Sequence, residues 1–142
     1  MAENIRGAAL RRAIETCIRP SDEAIAKLGE LFTDDVSVWS PNIMAKGLGD
    51  LAENLGFREA AFSDVAVEID SLDVFADRAL AEFHVAATFT GPFVIDEAVT
   101  IEPNGHQLVL GAAVVADFDG AKIKAMRAYF DDATLLEQML AE

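Results

Sequence analysis

Between residues 3 and 18 the apolar side chains Ala9, Leu10, Ala13, Ile14, Cys17 and Ile18 fall on one stripe, with Arg6, Arg12, Glu15 and Arg19 mostly off it. That spacing predicts an amphipathic helix with one face turned inward. Pro20 stops it. Ser21, followed by Asp22 and Glu23, then supplies a hydroxyl cap and first-turn acids for a second helix carrying Ile25, Leu28, Leu31 and Phe32. At Asp35 the period changes to two: Val36 and Val38 oppose Ser37 and Trp39, and Pro41 closes a short strand. Gly47 and Gly49 lead to Asp50, an N-cap candidate three residues before Glu53, which predicts a third helix with Leu51, Leu55 and Phe62 that ends near Ser63.

After this helix the pattern is that of strands, over residues 65–75, 79–90, 107–118 and 123–130, with turns at Asp77-Arg78 and Asp119-Gly120. In the first of them the apolar phase slips, from Val65, Val67 and Ile69 to Leu72 and Val74, which predicts a bulge and a bend near Asp70 and Ser71. Residues 91–105 hold Pro92, Asp96, Glu97, Glu102 and Pro103. They form a long connection with room for a small hairpin and a position suited to a lid. The last strand runs through Asp131 and Asp132 into a short helix with Leu135, Leu136 and Met139. This order of elements predicts an α+β fold: a curved antiparallel sheet forming a cone around the N-terminal helices, closed by a short C-terminal helix.

Composition narrows the picture. The 142 residues, 52% of them hydrophobic, suffice for one domain spanning 1–142 with a core and an internal cavity. With 25 acidic against 11 basic residues the net charge is -14, which repels phosphate backbones and anionic lipid surfaces, so neither nucleic acid nor a membrane is the expected partner. No apolar run approaches the roughly 20 residues that span a bilayer. The lone Cys17 has no intrachain partner, and Glu3 and Arg6 interrupt any leader-like stretch, so a reducing cytoplasm is the expected compartment.

Candidate chemistry is sparse. His84 alternates with Glu82 and Ala86 on the face opposite the expected pocket, suiting an interface more than catalysis, and His106 follows the Asn104-Gly105 turn. Without HExxH or paired cysteines, no metal and no cofactor is expected. There is no glycine-rich phosphate loop or GxSxG elbow, and Cys17 lies on the buried stripe of the first helix. Asp131 and Asp132 suit an N-cap, and either remains a catalytic candidate. Asp117, beside a turn, is expected to be solvated, and Glu82 and Arg127 are placed to pair across neighbouring strands.

The segments LFTDDVSVWSPN (31–42), TFTGPF (88–93), IEPNGHQLVL (101–110) and KIKAMRAYFDDATLLEQML (122–140) resemble the SnoaL-like polyketide cyclases. That family lies within the nuclear-transport-factor-2-like superfamily, with ketosteroid isomerases and limonene epoxide hydrolases. The resemblance implies a pocket between the concave sheet and the helices. It also implies positions for known chemistries. The ketosteroid isomerase base falls at Ser40, before Pro41, and its oxyanion-hole aspartate at Val114. Its helix-one tyrosine has no counterpart, because Tyr129 is the only tyrosine. The hydrolase triad falls on Phe83, Val85 and Ala128, all apolar, and the cyclase acid/base falls either at Ala128 or near Asp131.

On this alignment the pocket is lined by Val38, Trp39, Ser40, Phe83, Val85, Ala87, Phe89, Ala112, Val114, Ala116, Met126 and Ala128, a nearly apolar set. Three readings follow. The first is a domain that binds a small apolar or polycyclic molecule. The second is a cyclase or isomerase working through Asp131 or His84, and the third is a non-catalytic accessory dimer. A homodimer through the outer sheet face, carrying Arg127 and Tyr129, is what the resemblance implies for assembly.

Overall fold

The computed structural model describes residues 2–41, 43–56 and 61–142, with side chains from Ile5 onward. Two helices come first, α1 (Ala2–Ile18) and α2 (Asp22–Ala26), and a 3-10 turn at Leu28–Glu30 leads into β1 (Phe32–Ser40) and β2 (Ile43–Lys46). Helix α3 (Leu48–Gly56) precedes β3 (Phe62–Phe75) and β4 (Arg78–Phe89). A small hairpin follows, β5 (Phe93–Val94) with β6 (Thr100–Ile101), before β7 (Gln107–Asp119), β8 (Lys122–Phe130) and α4 (Asp132–Leu140).

One curved six-stranded sheet has the order β2-β1-β8-β7-β4-β3. The four long strands are antiparallel, as the turn signals predict, and Gly120 takes the left-handed conformation that closes β7 onto β8. The sheet as a whole is mixed, because β1 lies parallel to β8, with Val38 level with Met126. No local pattern encodes that pairing: the two strands are far apart in sequence and meet because each has one apolar face to bury against α1 and α3. The predicted phase slip is real. The β3–β4 register shifts between Ile69 and Ser71, and again between Ser63 and Ala66.

Three local expectations are corrected. The second helix stops at Ala26, and Phe32, fully buried opposite Ile123, opens β1 three residues before Asp35. The third helix begins at Leu48, after Gly47 at φ +90. Asp50 lies inside it and reaches back, accepting the Lys46 amide at 2.9 Å, so it ties helix to strand and does not cap. That helix ends at Gly56, while Phe62 and Ser63 belong to β3, opposite Phe89 and Thr88. The stretch 57–60 of the expected helix lies outside the described residues.

Two apolar clusters result. The larger joins the α1 stripe (Leu10, Ala13, Ile14) and α3 (Leu51, Leu55) to Phe83, Val114 and Met126 on the sheet. The smaller gathers Ala61, Phe89, Leu108 and Met139, with Phe62, Phe93 and Ile101 packed on it, so the hairpin and α4 close the other end.

Candidate functional site

The inner face of the sheet is built in rows that the register fixes. Ala128, Val114, Ala81 and Leu72 lie opposite one another across β8, β7, β4 and β3. The next row is Phe130, Ala112, Phe83 and Ile69, followed by Leu110, Val85 and Val67, and then by Leu108 and Ala87. Because side chains alternate between faces, all of these project to the side that carries α1 and α3.

Burial along these rows is uneven. Val38, Phe83, Val114, Ala116 and Met126 belong to the larger cluster, and Phe89 and Leu108 to the smaller, all sealed from solvent. On the same face, Ser40, Val85, Leu110, Ala112, Ala128 and Phe130 point inward yet stay only partly buried. In a close-packed interior such positions would be sealed. Of these, Val85, Ala112 and Ala128 pack against the edge of the larger cluster, and the small side chains at 112 and 128 leave this part of the inner face partly accessible. Apart from Ser40, these partly accessible positions are apolar. Leu110 and Phe130 were legible from the strand alternation and belong with the predicted set.

Trp39 does not. It stands between Val38 and Ser40 on β1, so strand geometry turns it to the outer face. There its ring lies 5.4 Å from that of Tyr129, and both remain partly exposed.

The polar candidates lie elsewhere. Asp131 caps α4: its carboxylate accepts the Ala133 and Thr134 amides at 3.0 and 3.3 Å and the Thr134 hydroxyl at 2.8 Å. The Thr134 hydrogen bonds, side chain before backbone, hold this exposed carboxyl below its usual 3.8. Asp132 is exposed in the first turn. His84 is on the outer face with Nδ1 against the Asp70 carboxylate, its ring beside Gly111. His106 is exposed, its amide held by Asn104 Oδ1 at 3.0 Å.

Asp117 is not the solvated residue expected beside a turn. It is 20% exposed and takes Arg78 at 2.7 Å and Arg127 at 3.0 Å from the two flanking strands. Desolvation raises its pKa, but the hydrogen bonds and charges of the two arginines outweigh this and leave the carboxyl below 3.8. Arg127 is thus engaged away from Glu82, which accepts the Ser71 hydroxyl at 3.3 Å instead. Cys17 packs against the larger cluster; although only half-buried as a residue, its desolvated thiol is pushed up to about 12.

A pair of amides shapes the closed end without any sequence signal. Gln138 spans Val109, accepting its N–H at 2.8 Å and donating to its carbonyl at 2.9 Å, where β8 has already ended. The Asn104 side chain donates to the carbonyls of Gln138, Met139 and Ala141, which finish α4. Among the described residues no three His, Cys, Asp or Glu converge as metal ligands, and no helix is long and apolar enough to cross a membrane.

The family model for SnoaL-like polyketide cyclases matches residues 8–139. No curated protein matches the sequence significantly. Among solved structures, a SnoaL-like polyketide cyclase candidate from Jannaschia sp. CCS1 superposes with a TM-score of 0.81 at 14% identity, covering 99% of this chain and 95% of that one. An LEH-like epoxide hydrolase of M. tuberculosis gives 0.69 at 14% identity, with 97% and 91% covered. A ketosteroid isomerase-like protein from Catenulispora acidiphila DSM 44928, solved with trimethylamine, gives 0.71 at 15% identity, with 92% and 91% covered. At such identities these likenesses establish the nuclear-transport-factor-2-like fold alone.

Proposed function

The chain belongs to the SnoaL-like polyketide cyclase family, and we propose that it binds a small apolar or polycyclic molecule inside the cone, holding it by shape and apolar contact and not by an acid/base pair. The observation that carries this reading is the band of six inward-facing positions that stay partly accessible, all apolar except Ser40, at the edge of the larger cluster. A ligand seated there covers Val85, Ala112, Ala128 and Phe130, and removing their remaining surface from water favours binding by about 25 cal/mol per Å². Among the described residues the carboxylates and imidazoles considered for catalysis lie off this band, and Asp131 is committed to its helix cap. The hairpin and α4, which carry the smaller cluster, form the door.

The same reading places a second copy of the chain on the outer face. Trp39, Met44, Leu80, Val109 and Tyr129 are exposed there. Acids (Glu68, Asp70, Glu82) stand on the β3–β4 side, and Lys46 and Arg127 on the β2–β1–β8 side. A two-fold axis along the strands sets one side against the other.

Thermal unfolding against a panel of neutral polycyclic and monoterpenoid compounds tests the pocket. At least one compound should raise the midpoint with increasing concentration, as linkage demands of a ligand that binds only the native state. A panel without a single concentration-dependent shift would sink the reading. Light scattering tests the dimer, which a monomeric mass would exclude.

A further inference from the structure

We propose that the cleft between α1 and α2, outside the cone, is a second binding site for a small molecule bearing a carboxylate or phosphate group. The cleft is open to solvent, with a volume of about 390 Å³, and is lined by Arg11, Arg12, Thr16, Ser21, Lys27 and Leu31 together with two acids. That volume falls within the range of small-ligand pockets, roughly 300–1,000 Å³.

Charge sets this region apart. Residues 1–27 hold 5 of the 11 basic residues (Arg6, Arg11, Arg12, Arg19, Lys27) and 4 of the 25 acidic ones (Glu3, Glu15, Asp22, Glu23). The remainder therefore carries 6 basic and 21 acidic residues, the differences 11 − 5 and 25 − 4. An anion approaching the chain meets repulsion over most of it and the least over the helical hairpin. Around the cleft Arg11, Arg12 and Lys27 stand with Glu15 and Glu23 of the lining and with Glu30, which meets Arg12, so the local charges balance instead of adding to the negative charge carried elsewhere.

The donors there are free or cheaply freed. Arg11 has no hydrogen bond or ion pair among the described residues. Arg12 meets Glu30 at 3.4 Å and Lys27 meets Glu23 at 3.1 Å, but both pairs have half or more of each side chain exposed. Such pairs contribute little, so a ligand oxyanion can replace the carboxylate. Ser21 Oγ accepts the Ala24 amide at 3.1 Å, leaving its hydroxyl proton to donate. Leu31, 3% exposed, and Ala24 give the cleft an apolar floor and wall that suit the ligand's carbon skeleton. A planar guanidinium beside an ammonium suits the forked oxygens of a carboxylate or phosphate.

Calorimetric titration at fixed ionic strength tests this, with citrate in one arm and inorganic phosphate in the other, so that the two sources of the oxyanion are told apart. The expected result is saturable one-to-one binding in at least one arm. Arg11→Gln and, independently, Lys27→Gln should weaken it about tenfold, the loss expected for a charge-assisted hydrogen bond. Glu23→Gln, which releases Lys27, should tighten it. Lys122→Gln, outside the cleft lining, serves as the control for bulk charge and should change nothing. No saturable heat in either arm would overturn the proposal, as would indifference to both Arg11→Gln and Lys27→Gln or an equal loss in Lys122→Gln.

Discussion

Replacing Asp117 by asparagine should destabilise the sheet in a way that depends on pH. The carboxylate is four-fifths buried on β7 and receives one arginine from β4 and one from β8, so it links three strands on the outer face. Hydrogen bonds to charged groups contribute about 1.5–3 kcal/mol each when shielded, and exposed ion pairs about 0–1. Arg78 is 54% exposed and Arg127 33%, and asparagine still accepts one bond, which brings the expected loss to about 1–2 kcal/mol. For a domain of this size that is a fall of roughly 3–7 °C in the unfolding midpoint at pH 7. The folded carboxyl has its pKa depressed below 3.8. Between its folded and unfolded pKa values the unfolded chain binds more protons, so stability rises with pH there. The contribution of Asp117 is therefore fully present above about pH 4 and disappears as pH falls through the folded value. Urea melts of the native protein and the variant, repeated from pH 7 down to pH 2, should show a gap that closes on acidification. A variant as stable as the native protein at pH 7, or a gap of unchanged size at pH 2, would refute the reasoning.

Other perturbations probe the rest of the architecture. Phe89→Ala empties the centre of the smaller cluster, where the ring is fully buried 5.9 Å from Phe62, and should cost about 3–5 kcal/mol in urea unfolding; a loss below about 1 would mean that the cluster is not packed. Gln138→Leu removes the amide that completes β7 beyond the end of β8, so the Val109 amide should lose protection against hydrogen exchange, and unchanged protection would contradict that role. Cys17, with its thiol pushed up to about 12, should react far more slowly with iodoacetamide at pH 8 in the native protein than in urea; equal rates would show that the sulfur is neither desolvated nor packed.

Much of this architecture is legible in the sequence where side chains alternate or repeat locally. The α1 stripe, the inward sets of β4 and β7, the Asp119-Gly120 turn and the bulge beside Ser71 follow from period and turn chemistry alone. So does the outward turn of Trp39, since alternation forbids it the face shared by Val38 and Ser40, although proximity to the expected cavity mouth suggested otherwise. What escapes local reading is set by distant partners. The four-residue edge strand β2 exists because β1 is there to pair with it, and the β1–β8 contact joins residues far apart in sequence. Phe62 satisfies a helical pattern but is claimed by Phe89 across the sheet. Asp117 reads as solvated until β4 and β8 bring two arginines to it. The apolar positions of the candidate site were visible from alternation, whereas the division of the core into two clusters depends on how α3, α4 and the hairpin close on the sheet.

The central claim, an apolar guest seated on the partly accessible inner face, is tested most directly by titrating the neutral fluorescent polycycle 1-aminoanthracene into the native protein and into Ala128→Leu, a change that adds bulk to one of those inward positions. The account predicts saturable binding to the native protein, weakened at least about tenfold in a variant whose loss of unfolding free energy stays within the roughly 1–3 kcal/mol cost of overpacking. Equal affinity for both proteins, or no saturable binding to either, would contradict it.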